Sequence, residues 1–365
     1  MYIRNIRLNG YRNLKKQTIE LDTGINLFIG DNGQGKTNTL EAIHLLATLR
    51  SFRNTNIRDI ICHDDQEAEI YGSVISRDVP LELRILITQE GRRLWMGQRS
   101  VSVVSDYLGS LKVVAFTPDD LDMVKGGPSI RRKFMDRVVF LFKPEHLKTV
   151  RDFNTALKAR NRLLKSKQVV DRQVVDSFSQ TLSIHGAKVT RARKDIIERI
   201  LEPASKILSH LDDDQEQLGL CFKPGWAANE SVSADCLLDI LRSGLDQDIR
   251  RYKTTRGPQL DDFEILLDNE SARRFASQGQ QRSCALALLL AIIGQAVEED
   301  GQRPVILLDD VSSELDSKRR KQLFEQVIGL GNQVLVTTTD KDLVKDLSSK
   351  TRRKFIVSNG RVEAS

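Results

Sequence analysis

Two short stretches carry residue types and spacings suited to one chemistry. In "NLFIGDNGQGKTNTLEAIHLL" (residues 26–46) an apolar strand runs into Gly30-x4-Gly35-Lys36-Thr37 and then into a helical pattern. Glycines at these places let backbone N–H groups converge on phosphate oxygens, and a helix start adds positive potential. The spacing assigns Gly30, Asp31, Asn32, Gly33, Gln34, Gly35, Lys36, Thr37 and Asn38 to a phosphate cradle. Lys36 is expected to reach the β and γ phosphates, and the Thr37 hydroxyl to bind magnesium.

The second stretch is "PVILLDD" (304–310), four apolar residues ending in two carboxylates. Unbroken apolar runs mark strands buried on both faces, and ligands gather at the C-terminal ends of such strands. Asp309 is expected to hold magnesium, directly or through water. Asp310, one residue on, is placed to orient or deprotonate an attacking water.

These residues need elements to position them. The first 120 or so residues read mainly as strands: "YIRNIRLN", "QTIEL", "INLFI", "AEIYGSVIS", "LELRILIT", "RRLWMG" and "KVVAF". Residues 36–49 are the helical exception. At Gly126-Gly127-Pro128 the character changes, and residues 129–211 carry long helical periodicity with almost no glycine. Pro128 suits a helix start, and Pro144 and the polar stretch near Ser166 divide the region into three helices. "QLGLCF" reads as a strand, and 234–252 as helical. After Gly257-Pro258 come "FEILL", a helix from Gln278, "PVILLDD", a helix from Ser317, "QVLVTTT" and "KFIVS". The expected fold is α/β, a nucleotide-binding head with mixed β structure and a Rossmann-like phosphate-loop core. The head comprises 1–127 and 250–365, and 128–249 is an inserted, mostly helical lobe.

Composition sets further bounds. With 365 residues, 40% hydrophobic and 29% charged, the chain can bury a sizeable core. No apolar run reaches the roughly 18 residues of a membrane helix, and the N-terminus lacks an apolar signal core. Cys62, Cys221, Cys236 and Cys284 are scattered, which reads as reduced thiols and not as a zinc site. Residues 125–199 hold 19 Lys or Arg against 7 Asp or Glu, a net +12 in a chain of net +6. A basic block in an acidic remainder suggests a polyanion-facing surface. Helix solvation alone is the alternative.

Between the two chemical stretches lies "FASQGQQRSCALALLLAIIGQA". Its Ser277-Gln278-Gly279-Gln280 resembles the signature motif of ABC-type ATPases. "SSELD" (312–316), with Ser313 and Asp316, is similar to their D-loop. The order of phosphate loop, signature, acidic strand and D-loop disfavours kinases and GTP switches. The resemblance implies that ATP and Mg2+ bind and that the signature acts in trans, in an ATP-dependent homodimer. One departure is that Thr337-Thr338-Thr339-Asp340 stands where the class has a histidine.

Along its whole length the chain resembles the RecF family, an SMC-like head without the long coiled coil. The carriers are Tyr11-Arg12-Asn13, the loop with the Arg-Ser-Phe-Arg that follows, "FTPDDLDMVKGGPSIRRKFMD", "KPGW", "RGP", "FASQGQQR" and "LLDDVSSELD". Gln259-Leu260 departs from the family, many members of which carry a histidine after Gly-Pro. The resemblance implies a cytoplasmic, nucleoid-associated recombination mediator and a weak DNA-stimulated ATPase. It implies binding of gapped, single-stranded and duplex DNA, and work with RecR, RecO and RecA, with no membrane. Arg131, Arg132, Lys133, Lys158, Arg160, Arg162, Arg191, Arg193 and Lys194 are the expected DNA contacts. A transporter-type motor coupled to a membrane partner is the rival class.

Overall fold

The structure is a computed structural model and describes residues 1–53, 56–166, 171–211, 216–226, 232–310, 315–347 and 349–365. The chain divides into two compact units, Met1–Leu121 with Leu289–Ser365, and Asp122–Leu288.

The first unit holds two six-stranded sheets. One is antiparallel throughout, with the order Gln17–Glu20, Tyr2–Asn9, Glu67–Ser76, Val79–Thr88, Gly91–Met96, Arg99–Ser100. Its strands alternate apolar and polar residues, and one face is buried. The other has the order Arg361–Ala364, Thr351–Ser358, Ile25–Ile29, Val334–Thr338, Val305–Asp309, Val113–Phe116. Apart from the antiparallel Arg361–Ala364 edge, every neighbouring pair is parallel. Ile306, Leu307 and Leu308 are almost wholly buried, and each contributes about 1.5–3 kcal/mol by leaving water.

The helix Lys36–Thr48 packs on strands of both sheets, and 11 of its 13 residues are buried. Burial all round explains why it lacks a clean polar stripe. The buried Gln333 amide accepts from the Ile3 N–H (2.8 Å) and donates to the Ile3 carbonyl (2.8 Å), tying the two sheets.

In the second unit three helices, Pro128–Phe142, His146–Leu164 and Arg172–Leu211, follow the expected division. Pro128 occupies the first turn of its helix, where its missing N–H leaves no bond unmade. Pro203 lies inside the 40-residue third helix. Helices Ala234–Ser243 and Leu245–Arg251 follow, and Phe153, Leu182, Val189, Trp226 and Leu237 lie at the core. The unit extends to Leu288, beyond the boundary near 250 expected for the lobe. The reason is pairing: Asp262–Leu267 joins Leu218–Lys223 in one antiparallel ladder and brings the following segment with it.

Among the described residues one helix, Gln278–Glu299, is long and apolar enough by length and composition to cross a bilayer, with mean hydropathy 1.2, although Gln280, Gln281 and Arg282 interrupt it and no apolar run fills it. In the protein 72% of that window is buried, as in a core helix.

Candidate functional site

The parallel pairing of Ile25–Ile29 with Val334–Thr338, and of Val334–Thr338 with Val305–Asp309, sets the strand ends of the site side by side. From Ile29 the chain enters the loop, and helix Lys36–Thr48 starts on Gly35. Gly33 (φ 79°) and Gly35 (φ 118°) both lie in the left-handed region, which a Cβ disfavours. The Lys36 side chain folds over the loop and donates to the carbonyls of Gly30 (2.7 Å) and Asp31 (2.9 Å). Burial lowers the Lys36 pKa, an effect opposed by Asp310, Asp309 and Asp31. Lys36 itself is 5% exposed, so an anionic ligand at the loop meets a positive charge little screened by water.

Thr37 and Asp309, 272 residues apart in sequence, meet directly: the Thr37 hydroxyl donates to Asp309 Oδ1 at 2.8 Å. The Thr337 hydroxyl donates to the same oxygen at 2.8 Å and accepts the Asp310 N–H at 3.0 Å. Thr337 therefore orients both carboxylate residues, in the segment where the expected histidine is missing. Thr338 accepts the Asp340 N–H, Asp340 pairs with Arg320, and Thr339 is exposed. Asp310 sits at φ 48°, a left-handed bend at the strand end. A hydroxyl and a carboxylate in contact form a hard-oxygen pair suited to magnesium, and the cradle beside them suits a polyphosphate.

Burial raises the Asp309 pKa, with Thr337 and Thr37 pulling it back. A metal needs the carboxylate ionised, so magnesium binding should release a proton and weaken as pH falls toward the raised value. Without metal, the contribution of Asp309 to stability is greatest below the unfolded value of 3.8 and is lost as pH rises through the raised one. Magnesium-supported nucleotide affinity, followed as pH is lowered, should weaken toward acid as Asp309 takes up its proton. In Asp309→Asn that share of the pH dependence should be lost, leaving only the nucleotide's own titration.

The flanks of the loop are braced by two motifs whose roles the sequence leaves open. Arg12 makes a two-pronged pair with the buried Glu41, at 3.0 and 2.7 Å. The Ser51 hydroxyl donates to the same carboxylate. Arg53 donates to Asn38 Oδ1 (2.7 Å), Asn38 Nδ2 to Asn13 Oδ1 (2.7 Å), and Asn13 Nδ2 to the Gly33 carbonyl (3.0 Å). Asn38, expected in the cradle, is thus part of its outer brace. The motif spacing cannot reveal this because the partners are Asn13 and Arg53.

In the second unit Ser277 and Gln280 cap the helix Gln278–Asp300 reciprocally. The Ser277 hydroxyl accepts the Gln280 N–H (3.2 Å), and the Gln280 side chain accepts the Ser277 N–H (2.6 Å). Gln280 also donates to Glu216. Ser277 and Gln278 are exposed, and Gly279 is half-buried. Asp316 caps the helix Ser317–Gly329 by accepting the Arg319 N–H at 3.0 Å. Ser313 lies outside the described residues.

The expected DNA contacts separate into two groups, and three of them are corrected by burial. Arg131 forks onto Asp262 at 2.7 and 2.8 Å. Arg160, 0% exposed, pairs with Asp248 at 2.7 Å and donates to Thr254 and Ser179. Arg193 forks onto Asp136 at 2.8 Å and reaches Asp261 at 3.0 Å. Burial alone would raise the Asp136 pKa, but His146 and Arg193 outweigh it and hold it at about 2. These three arginines join their helices to neighbouring helices, a strand and loops and do not present their charge to a polyanion. Arg132 is half-buried and donates to the Asp261 carbonyl. Lys133, Lys158, Arg162, Arg191 and Lys194 are exposed. Outside the expected block, Arg250, Arg251, Tyr252 and Lys253 are also exposed, with Tyr252 61% accessible and left-handed at φ 55°. The signal for this second group was an aromatic among three cations.

The RecF/RecN/SMC N-terminal domain family matches residues 2–362. A DNA replication and repair protein RecF of Lactococcus lactis subsp. cremoris (strain SK11) is 36% identical over 100% of this chain and 99% of its own. Its namesake in Lactobacillus delbrueckii subsp. bulgaricus (strain ATCC 11842) is 35% identical, covering 99% and 97%. Among solved structures, the recombination mediator protein RecF-ATP in the RecFOR pathway superposes with a TM-score of 0.90, at 30% identity over 100% and 97% of the two chains. An Smc head bound to the C-winged helix domain of ScpA, 17% identical with a TM-score of 0.58, shares the fold of the ABC-type ATPase head.

Proposed function

This chain belongs to the RecF family of DNA replication and repair proteins, and from that premise we propose that it is an ATP-dependent DNA-binding recombination mediator. The observation that carries the reading is the Thr37–Asp309 contact, which joins a phosphate cradle to an acidic strand end with Asp310 beside it. Similarity to the ATP-bound family structure supports the choice of nucleotide. ATP supplies the phosphates that the loop N–H groups and Lys36 bind, and Mg2+ is held by Thr37 and Asp309. Asp310 accepts the proton of the attacking water. The signature residues Ser277 to Gln280 and the D-loop residues Ser313 and Asp316 complete the site of a second copy. ATP thereby joins two chains, and slow hydrolysis, stimulated by DNA, releases them. The protein works in the cytoplasm on gapped DNA and single-strand/duplex junctions. There it assists RecA loading with RecR and RecO.

In this reading the second unit, Asp122–Leu288, carries the helical lobe that meets DNA. Lys133, Lys158, Arg162, Arg191 and Lys194 contact phosphates, and the Arg250–Lys253 group adds an aromatic surface for an unpaired base.

Binding to gapped, single-stranded and duplex DNA across about 50–300 mM salt, with and without ATP–Mg2+, tests this reading. Affinity should require ATP, and each contacting cation removed should reduce the salt slope by about one. Arg193→Ala should instead cost about 3–5 kcal/mol of stability, by removing the buried cation that Asp136 and Asp261 share, and leave the slope unchanged. ATP-independent binding that ignores the exposed cations contradicts the reading.

A further inference from the structure

The C-terminal strands Thr351–Ser358 and Arg361–Ala364 form a hairpin closed by the pair Ser358↔Arg361. The two residues of its turn, Asn359 (φ 49°) and Gly360 (φ 73°), are both left-handed, the mirror-image turn that Asn-Gly favours. This turn lies directly against the phosphate loop. The Asn359 N–H donates to Gln34 Oε1 at 2.6 Å, and the Gly360 N–H donates to the Gln34 carbonyl at 3.1 Å.

The far side of the turn is held equally firmly. The Gly360 carbonyl accepts the Lys15 N–H (3.0 Å) and the Gln17 side-chain amide (3.1 Å). Gln17 Oε1 in turn accepts the Val362 N–H at 2.8 Å. There is no room for a side chain at position 360, since a Cβ there would lie 2.0 Å from the Asn13 carbonyl oxygen. At the other end of the loop, a Cβ on Gly30 would lie 2.2 Å from the carbonyl oxygen of Val357. Strand Thr351–Ser358 pairs with the loop's own strand in parallel, and Phe355 stacks on Phe28 at 4.7 Å.

We propose that the Asn359–Gly360 turn is a positioning element of the nucleotide site. It suspends Gln34 by backbone and side chain together. This fixes the curvature that points the N–H groups after Gly33 at one place. The cradle binds by pre-set N–H directions, so a loop that must be reordered by its ligand binds it more weakly. The turn touches no phosphate and acts through Gln34. The inference rests on the ATP reading above.

The test is affinity for a fluorescent ATP analogue and the matching ADP analogue, measured on variants whose cooperative melting shows that they are folded. Gln34→Met keeps the side-chain length and removes the carboxamide whose Oε1 accepts the Asn359 N–H. It should weaken both nucleotides about 3- to 10-fold, the loss of one hydrogen bond to the loop. Gly360→Ala forces a left-handed alanine into the Asn13 carbonyl and should weaken both by more than about 10-fold. Asn359→Gly keeps both the N–H and the left-handed backbone and should bind within about twofold of the parent, as the conservative rescue. A lowered melting temperature alone does not change affinity among folded molecules, so a purely structural turn leaves it at the parental value. Parental affinity in folded Gln34→Met overturns the proposal, and this variant decides if Gly360→Ala does not fold. Lys36→Ala separates the two readings. If it also binds like the parent, the ATP site itself is misplaced. If it alone fails, the site stands and the turn has no part in it.

Discussion

Lys36→Ala is expected to lose nucleotide affinity by about 100-fold or more while the first unit stays folded. The magnitude follows from removing charge-assisted hydrogen bonds worth about 1.5–3 kcal/mol each in a shielded site. Lys36 is only 5% exposed, yet its bonds within the protein are to the carbonyls of Gly30 and Asp31, which belong to the loop itself. Burying that ammonium among Asp31, Asp309 and Asp310 has a cost, seen in its lowered pKa, that an apolar core residue would not carry. Stability should therefore change little, or rise. Isothermal titration with ATP–Mg2+ alongside a urea melt checks both halves. Binding that survives the substitution removes the site's central cation from the account.

Asp310→Asn should separate binding from hydrolysis. The amide occupies the same space and keeps the backbone N–H that Thr337 accepts, so the bend at the strand end persists. It cannot take a proton from water. Hydrolysis should fall by about 100- to 10,000-fold, the usual worth of a general base. Nucleotide affinity should stay within about threefold, because Asp309 and Thr37 remain to hold magnesium. A parallel loss of binding and turnover places Asp310 among the metal ligands and not as the base.

Much of this site is written in local sequence. The loop glycines, the apolar strand Val305–Asp309 and the helix start at Lys36 are set by short-range backbone and burial rules, and the structure places each where spacing expects it. What local pattern does not carry is partnership. Arg131, Arg160 and Arg193 look like their exposed neighbours in a charge count. They differ only because Asp262, Asp248 and Asp136 stand opposite them in the fold, up to 131 residues away. The outer brace of the loop is non-local in the same way: Gln34 and Asn359 are 325 residues apart. An Asn-Gly pair between apolar strands is a hairpin signal in its own right. Nothing short of the parallel pairing of Thr351–Ser358 with Ile25–Ile29 places that hairpin at the nucleotide site. Local character returns to strand and helix after Gly257-Pro258, whereas the unit boundary follows the ladder between Leu218–Lys223 and Asp262–Leu267.

In the proposed mechanism ATP joins two copies of this chain and hydrolysis parts them. Sedimentation velocity of Asp310→Asn, run with ATP–Mg2+, with ADP–Mg2+ and without nucleotide, distinguishes this from a fixed oligomer. A dimer with ATP–Mg2+ that persists through the run is expected, and monomer in the other two conditions. A single unchanged mass in all three, with ATP shown to be bound, contradicts it.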